Sequence, residues 1–236
     1  MKLKVLSGLS LLVVSLGSAL AGDATPINRV IASVEIETDD PVGYAHWISE
    51  GNKVAKEKLG IDKYQQVLQA VYEGEKGSKR LWVVRSAESV AQLTKNSAAL
   101  ANDPARLKLY DHFNQIRKTH GNVLYQALRY ERSVPNGHAL NTRMNVTDEA
   151  AYVAAAQELR ALYDRAGFKD VTMSIYRVIA GRTDYSHLTA LTAPSAERLA
   201  EFLDAAQRDP GVRGWLANAG KFRSVVSNAT HKNITP

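Results

Sequence analysis

The sequence predicts an α+β chain in which one β-α-β-β-α-β unit occurs twice, over residues 28 to 133 and 138 to 231. Three observations predict it: periodic segments come in the same order in both halves, landmarks return about 106 to 109 residues apart, and a turn-rich link at 134 to 137 separates the halves. Thr38-Asp39 returns as Thr147-Asp148, and Leu59-Gly60 as Ala166-Gly167. Ser86-Ala87-Glu88 is echoed in Ala193-Pro194-Ser195-Ala196-Glu197, and Asn102-Asp103-Pro104 in Arg208-Asp209-Pro210.

In the first unit, Val30 to Glu37 alternates Ala32, Val34 and Ile36 against Ser33, Glu35 and Glu37, the pattern of a half-buried strand. Asp39-Asp40-Pro41 starts a helix. Its apolar positions Tyr44, Trp47, Ile48, Val54, Ala55 and Leu59 keep helical spacing until Gly60 ends it. Residues 66 to 73 and 80 to 85 are strands around the hairpin signal Gly74-Glu75-Lys76-Gly77-Ser78. A helix from near Ser86 breaks at Asn102-Asp103-Pro104 and resumes through Leu109, Phe113 and Ile116, and strand 123 to 131 closes the unit.

The second unit repeats the order. Strand 139 to 146 precedes a helix striped by Tyr152, Ala156, Leu159, Tyr163 and Ala166, and strands 171 to 180 and 184 to 191 flank a turn at Gly181. A helix carrying Leu199, Phe202 and Leu203 breaks at Asp209-Pro210 and resumes through Trp215 and Leu216, before strand 222 to 229.

Each unit makes a four-stranded antiparallel sheet with both helices on one face. Two copies cover each other's bare faces by packing sheet against sheet. This arrangement resembles the dimeric α/β-barrel superfamily of ferredoxin-like units, here with both halves fused into a self-contained pseudo-dimer. That superfamily includes cofactor-independent monooxygenases, haem enzymes resembling chlorite dismutase and dye-decolourising peroxidases, small isomerases and stress-responsive proteins. The resemblance therefore implies a fold without choosing an activity, and it leaves further oligomerisation open.

Residues 1 to 21 carry Lys2 and Lys4, an apolar run from Val5 to Leu16, and Ala19-Leu20-Ala21 before Gly22. These predict a bacterial Sec-type signal peptide and a periplasmic or secreted mature chain. Serines and glycines keep the run short of the roughly 20 apolar residues of a membrane span, so no anchor is expected after cleavage. The absence of cysteine excludes disulfides, thiolate metal sites and cysteine nucleophiles. The formal charge of +6 falls to +4 when Lys2 and Lys4 leave. No Lys/Arg run of five and no RNA-binding aromatic signature occur, which argues against a nucleic-acid partner.

The candidate sites follow from polar residues in apolar surroundings. His187 stands in the third strand of the second unit where the first has Leu81, and imidazole is an acid, base or ligand near neutral pH. Strand alternation predicts that Tyr185, His187 and Thr189 share a face, with Arg177 approaching from the next strand. His187, Tyr185 and Arg177 are thus the candidate catalytic set, competing with a hydrogen-bonded structural role for His187. Trp47, Tyr72, Trp82 and Tyr125 are candidate ligand-binding walls between the helices and sheet of the first unit, competing with a core role. Glu35, Glu37, Asn141, Arg143 and Asn145 are expected on the barrel-facing side, where they either line a polar cavity or, as Glu35 with Arg143, neutralise each other across the repeats.

His112, on the apolar face of its helix, loosely resembles the iron-holding histidine of the haem-binding members. No supporting motif accompanies it, so no cofactor is expected. His46 is expected at the surface, and no metal site is predicted, since His112 and His120 lack the spacing of one. The reading is an exported protein that binds a small organic molecule or serves in stress, without catalysis. The alternative is a cofactor-independent, monooxygenase-like oxidoreductase acting on a planar organic substrate.

Overall fold

The computed structural model describes residues 28–71, 79–131, 136–181 and 184–236, except for the side chains of residues 110 and 112–114. The expected signal peptide, Tyr72, the hairpin at 74–78, the side chain of His112 and residues 134 and 135 of the link between the units lie outside the described residues.

The first unit runs β1 (Val30–Glu37), α1 (Pro41–Leu59), β2 (Gln66–Val71), β3 (Arg80–Ala87), α2 (Val90–Ala101), α3 (Pro104–Ile116) and β4 (Lys118–Arg129). The second runs β5 (His138–Val146), α4 (Glu149–Arg165), β6 (Thr172–Ala180), β7 (His187–Ala193), α5 (Ala196–Arg208), α6 (Pro210–Ala219) and β8 (Arg223–Asn233). The helices start alike because their caps are alike. Asp40 and Asp148 accept backbone N–H bonds from Gly43 and Ala151 at 2.8 and 2.9 Å, while Ser89 and Ser195 accept from Gln92 and Arg198, both at 3.1 Å. Asp103 and Asp209 cap α3 and α6, each followed by proline, which needs no N–H partner there.

Within the units the strand orders are β4-β1-β3-β2 and β8-β5-β7-β6, all antiparallel, and the two sheets face each other. Their edges also pair, β2 with β8 and β4 with β6, which closes one eight-stranded barrel. Closure leaves no unpaired sheet edge. Both units carry the same register shift, between Glu35 and Ile36 opposite β4 and between Arg143 and Met144 opposite β8. Matched by these shifts and by the caps, Glu35 and Arg143 occupy equivalent positions.

One strand face looks inward and the other meets the helices, and three of the buried apolar clusters show this division. The second unit's helix–sheet layer is the largest, with Met144, Tyr152, Leu159, Phe202, Val212 and Trp215 in its buried cluster. The first unit's layer is divided into smaller clusters, one with Ile36, Tyr44, Ile48, Val67, Leu81 and Val83, one with Val30, Ala87 and Leu93, and one with Ala55, Tyr64 and Leu100. The barrel interior holds Val123, Tyr125, Tyr176 and Tyr185.

Three strand boundaries depart from expectation by three residues or more. β4 begins at Lys118, because the polar stretch Lys118–Asn122 pairs with β1 beside the register shift while lacking any apolar alternation. β8 continues to Asn233, where pairing with β2 and β5 holds polar residues in the ladder. β7 starts only at His187; residue 186 donates its N–H to Met144 O and accepts one from Val178, so the chain enters the strand from a bend. Gly181 makes the preceding turn possible: its φ is 102°, and a Cβ there would lie 2.1 Å from the Asn122 carbonyl oxygen.

Candidate functional site

The bend at residues 184–186 divides the expected catalytic set. Tyr185 points into the barrel, where its hydroxyl lies 2.5 Å from that of Tyr125. His187 and Thr189 point the other way, to the helices: Thr189 Oγ1 is 2.6 Å from the Tyr152 hydroxyl. The uninterrupted alternation expected across 185–189 is therefore wrong by one residue.

His187 and Arg177 do come together, on Glu149 in the first turn of α4. His187 Nε2 lies 3.0 Å from Glu149 Oε2 and its Nδ1 2.8 Å from Ser186 Oγ. Arg177 donates to Glu149 Oε1 at 3.3 Å and to Gln126 Oε1 at 2.5 Å. This network ties α4 to β7, β6 and β4. Both imidazole nitrogens have partners, and His187 is not in the lining of the barrel cavity that Tyr125 lines.

The aromatic set divides too. Trp82 and Tyr125 line the barrel interior rather than the helix–sheet layer, because Leu81 and Val83 take the helix-facing positions of β3 and turn Trp82 inward. Trp47 packs between α1 and the sheet. The polar set fares better: Asn141 and Arg143 line the interior, and Glu35 and Arg143 line the same small pocket at one barrel end. Arg80 approaches Glu35 at 3.7 Å, while the Arg143 guanidinium lies 5.4 Å from the centre of the Tyr185 ring. Glu37 meets His120 at 2.8 Å instead, and Asn145 is exposed. His46 is exposed, as expected. His187 is not the only strand histidine, since β4, β5 and β8 carry His120, His138 and His231.

The most distinctive site went unread in the sequence. A cavity of about 240 Å³ lies in the first unit's helix–sheet layer, walled by Tyr44, Trp47, Ile48, Val83 and Leu109, and Arg85, Arg106 and Arg117 line it. Each arginine arrives on a different element. Arg85 follows Leu81 and Val83 on the helix-facing side of β3 and reaches Ser97 Oγ on α2 at 3.4 Å. Arg106 is buried in the first turn of α3, where its N–H and that of Ala105 hold the Asp103 carboxyl below its usual range. Arg117 ends α3, where a cation suits the helix dipole, and donates to the Tyr44 hydroxyl at 3.3 Å.

No carboxylate lines this cavity among the described residues, and Arg85 Nε is buried without a hydrogen-bond partner. The matched positions of the second unit are filled and apolar: Leu191 for Arg85, Val212 for Arg106, Phe202 for Asn96 and Leu203 for Ser97. Only the last arginine is kept. Arg223, the match of Arg117, lies 4.9 Å from the centre of the Trp215 ring, and Trp215 stands where the first unit has Leu109.

No family profile and no curated protein matches the chain. Solved structures do. A proposed monooxygenase of Fusobacterium nucleatum matches with a TM-score of 0.57 and 8% identity, over 87% of this chain and 91% of that one. An anthrone oxidase-like protein matches with a TM-score of 0.54 and 11% identity, over 86% and 91%. A variant of the chlorite dismutase of Candidatus Nitrospira defluvii matches with a TM-score of 0.51 and 11% identity, over 89% and 92%.

The chain has the dimeric α/β-barrel fold. Both halves of this barrel lie in one polypeptide, and identities this low carry the fold alone. The activity must come from the site.

Proposed function

We propose that this fused barrel binds a small organic acid in the first unit's helix–sheet cavity. The anionic group meets Arg85, Arg106 and Arg117, and the organic body lies against Trp47, Ile48 and Leu109. The observation that carries this reading is the convergence of three arginines on a cavity whose described walls include no carboxylate. Guanidinium forks match carboxylate and phosphate oxygens two at a time. A cavity of 240 Å³ suits a ligand somewhat smaller than the drug-sized molecules that fill about 300–1,000 Å³. Haem is larger, so the reading needs no haem. The reading also places the mature chain outside the cytoplasm after removal of residues 1 to 21, which N-terminal sequencing of the protein from a periplasmic fraction would check.

The test is thermal unfolding at constant ionic strength with benzoate, phenylphosphate or inorganic phosphate against chloride. At least one organic acid should raise Tm in a saturable way, and Arg106→Val should remove the rise. Equal Tm in all salts would contradict the proposal.

The monooxygenase and anthrone oxidase-like names of the structural neighbours favour a second reading, oxidation of a planar organic substrate by dioxygen. Oxygen uptake in the presence of anthrone, lost in Arg106→Val, would support it over simple binding.

A further inference from the structure

The barrel interior holds a second cavity, of about 190 Å³, separated from the arginine site by the sheet itself. Its floor is the layer of Glu35, Arg143 and the hydrogen-bonded Tyr125–Tyr185 pair, and Lys63 and Gly137 line it toward the opposite end of the strands. Trp82, Tyr176, Leu68 and Leu188 give it flat apolar walls.

One group on this wall lacks a partner. His231 is 3% exposed, and its Nδ1 lies 2.9 Å from Asn141 Nδ2, while Nε2 is buried with no hydrogen bond. Its ring meets Trp82 edge-on at 4.4 Å. Burial, helped by the Arg143 charge, pushes the His231 pKa down to about 4, so the imidazole is neutral under ordinary conditions. The two formal charges of the floor, Glu35 and Arg143, have opposite sign. Lys63 adds a further cation to the lining, whereas Trp82, whose ring meets His231, and Tyr176 and Leu188 are uncharged.

We infer that the barrel interior is a second binding site, for an uncharged, ring-sized aromatic molecule with one hydrogen-bonding substituent, of the phenol or indole class. The ring lies among Trp82, Tyr176 and Leu188, and the substituent completes the hydrogen bonding of His231. The size agrees, because an apolar cavity of about 150 Å³ already holds benzene. The site goes beyond the organic-acid reading and does not depend on it.

The experiment is calorimetric titration of the full chain with phenol and with indole, using benzoate as the charged control, followed by ¹⁵N chemical shifts of the His231 ring. Phenol or indole should bind saturably at one site per chain and shift Nε2. Ala190→Leu, which fills a wall, should weaken binding at least tenfold and leave the response to organic acids unchanged. If Ala190→Leu does not fold, Ala139→Val fills a neighbouring wall and serves the same test. No saturable binding of either probe, an unmoved Nε2, or undiminished affinity in the filled variant would each overturn the proposal and leave a cavity occupied by water.

Discussion

The two helix–sheet layers descend from one pattern and differ in what fills them. In the second unit Phe202, Leu203, Leu191, Val212 and Trp215 pack with Tyr152 in one buried apolar cluster, and the open groove of about 620 Å³ beside it, between α4 and α6, pairs its one cation, Arg165, with one carboxylate, Glu158, in its lining. In the first unit the same positions hold Asn96, Ser97, Arg85, Arg106 and Leu109, and a cavity remains. Dense packing stabilises, whereas buried cations and empty space do not. The second unit therefore acts as an internal reference for the first: its apolar residues show what the scaffold needs, and the first unit's departures show what it can be asked to do.

The largest expected effect lies in the packed layer. Phe202 stacks edge-on against Tyr163 and Phe168 at 4.5 and 5.3 Å. Phe202→Ala should cost about 3–5 kcal/mol in urea unfolding. A cost below about 1 kcal/mol would mean that this layer is as loose as the first and would erase the contrast.

Next comes pH. His231 matches Tyr125 of the first unit, and its pKa of about 4 lies below the unfolded value of 6.5. The unfolded chain then binds the proton more readily, so the contribution is fully present above pH 6.5 and is lost as pH falls toward 4. The loss should approach about 3 kcal/mol, and His231→Phe should remove that part of the pH dependence. An unchanged pH profile in the variant would place the titration elsewhere.

His187→Leu copies Leu81 of the first unit and breaks the bonds to Glu149 and Ser186, while Arg177 still holds Glu149. It should cost about 1–3 kcal/mol and leave ligand binding intact, as measured by unfolding and titration together. Lost binding with unchanged stability would return His187 to the functional site. The smallest stability effect belongs to Arg85→Leu, which copies Leu191, gives up the 3.4 Å bond to Ser97 and should change unfolding by less than about 1 kcal/mol.

Much of this architecture could be read in the sequence, because caps and breaks are local. Asp40 and Asp148, Ser89 and Ser195, and the two Asp-Pro pairs start their helices through short-range hydrogen bonds that residue order alone dictates. The barrel was expected from the resemblance, but the edge pairs β2–β8 and β4–β6 that close it were not legible, since they join strands distant in the chain. The bend before His187 was equally hidden, because nothing in Asp184-Tyr185-Ser186 interrupts the apparent alternation. The arginine cavity escaped for another reason: its three cations sit far apart in sequence, and each alone resembles a surface residue. Comparison of the repeats held the signal, as Arg85 against Leu191 and Arg106 against Val212 are the same kind of mismatch that singled out His187 against Leu81.

The central claim is that the first unit's hollow, cationic layer is a binding site and the second unit's layer is not. Calorimetric titration with phenylphosphate tests it most directly, on the natural chain, on Arg106→Val and on Val212→Ala. The account predicts one site per chain, a loss of at least tenfold in affinity for Arg106→Val, and unchanged affinity for Val212→Ala. Equal binding by the natural chain and Arg106→Val, or no binding by the natural chain, would contradict it.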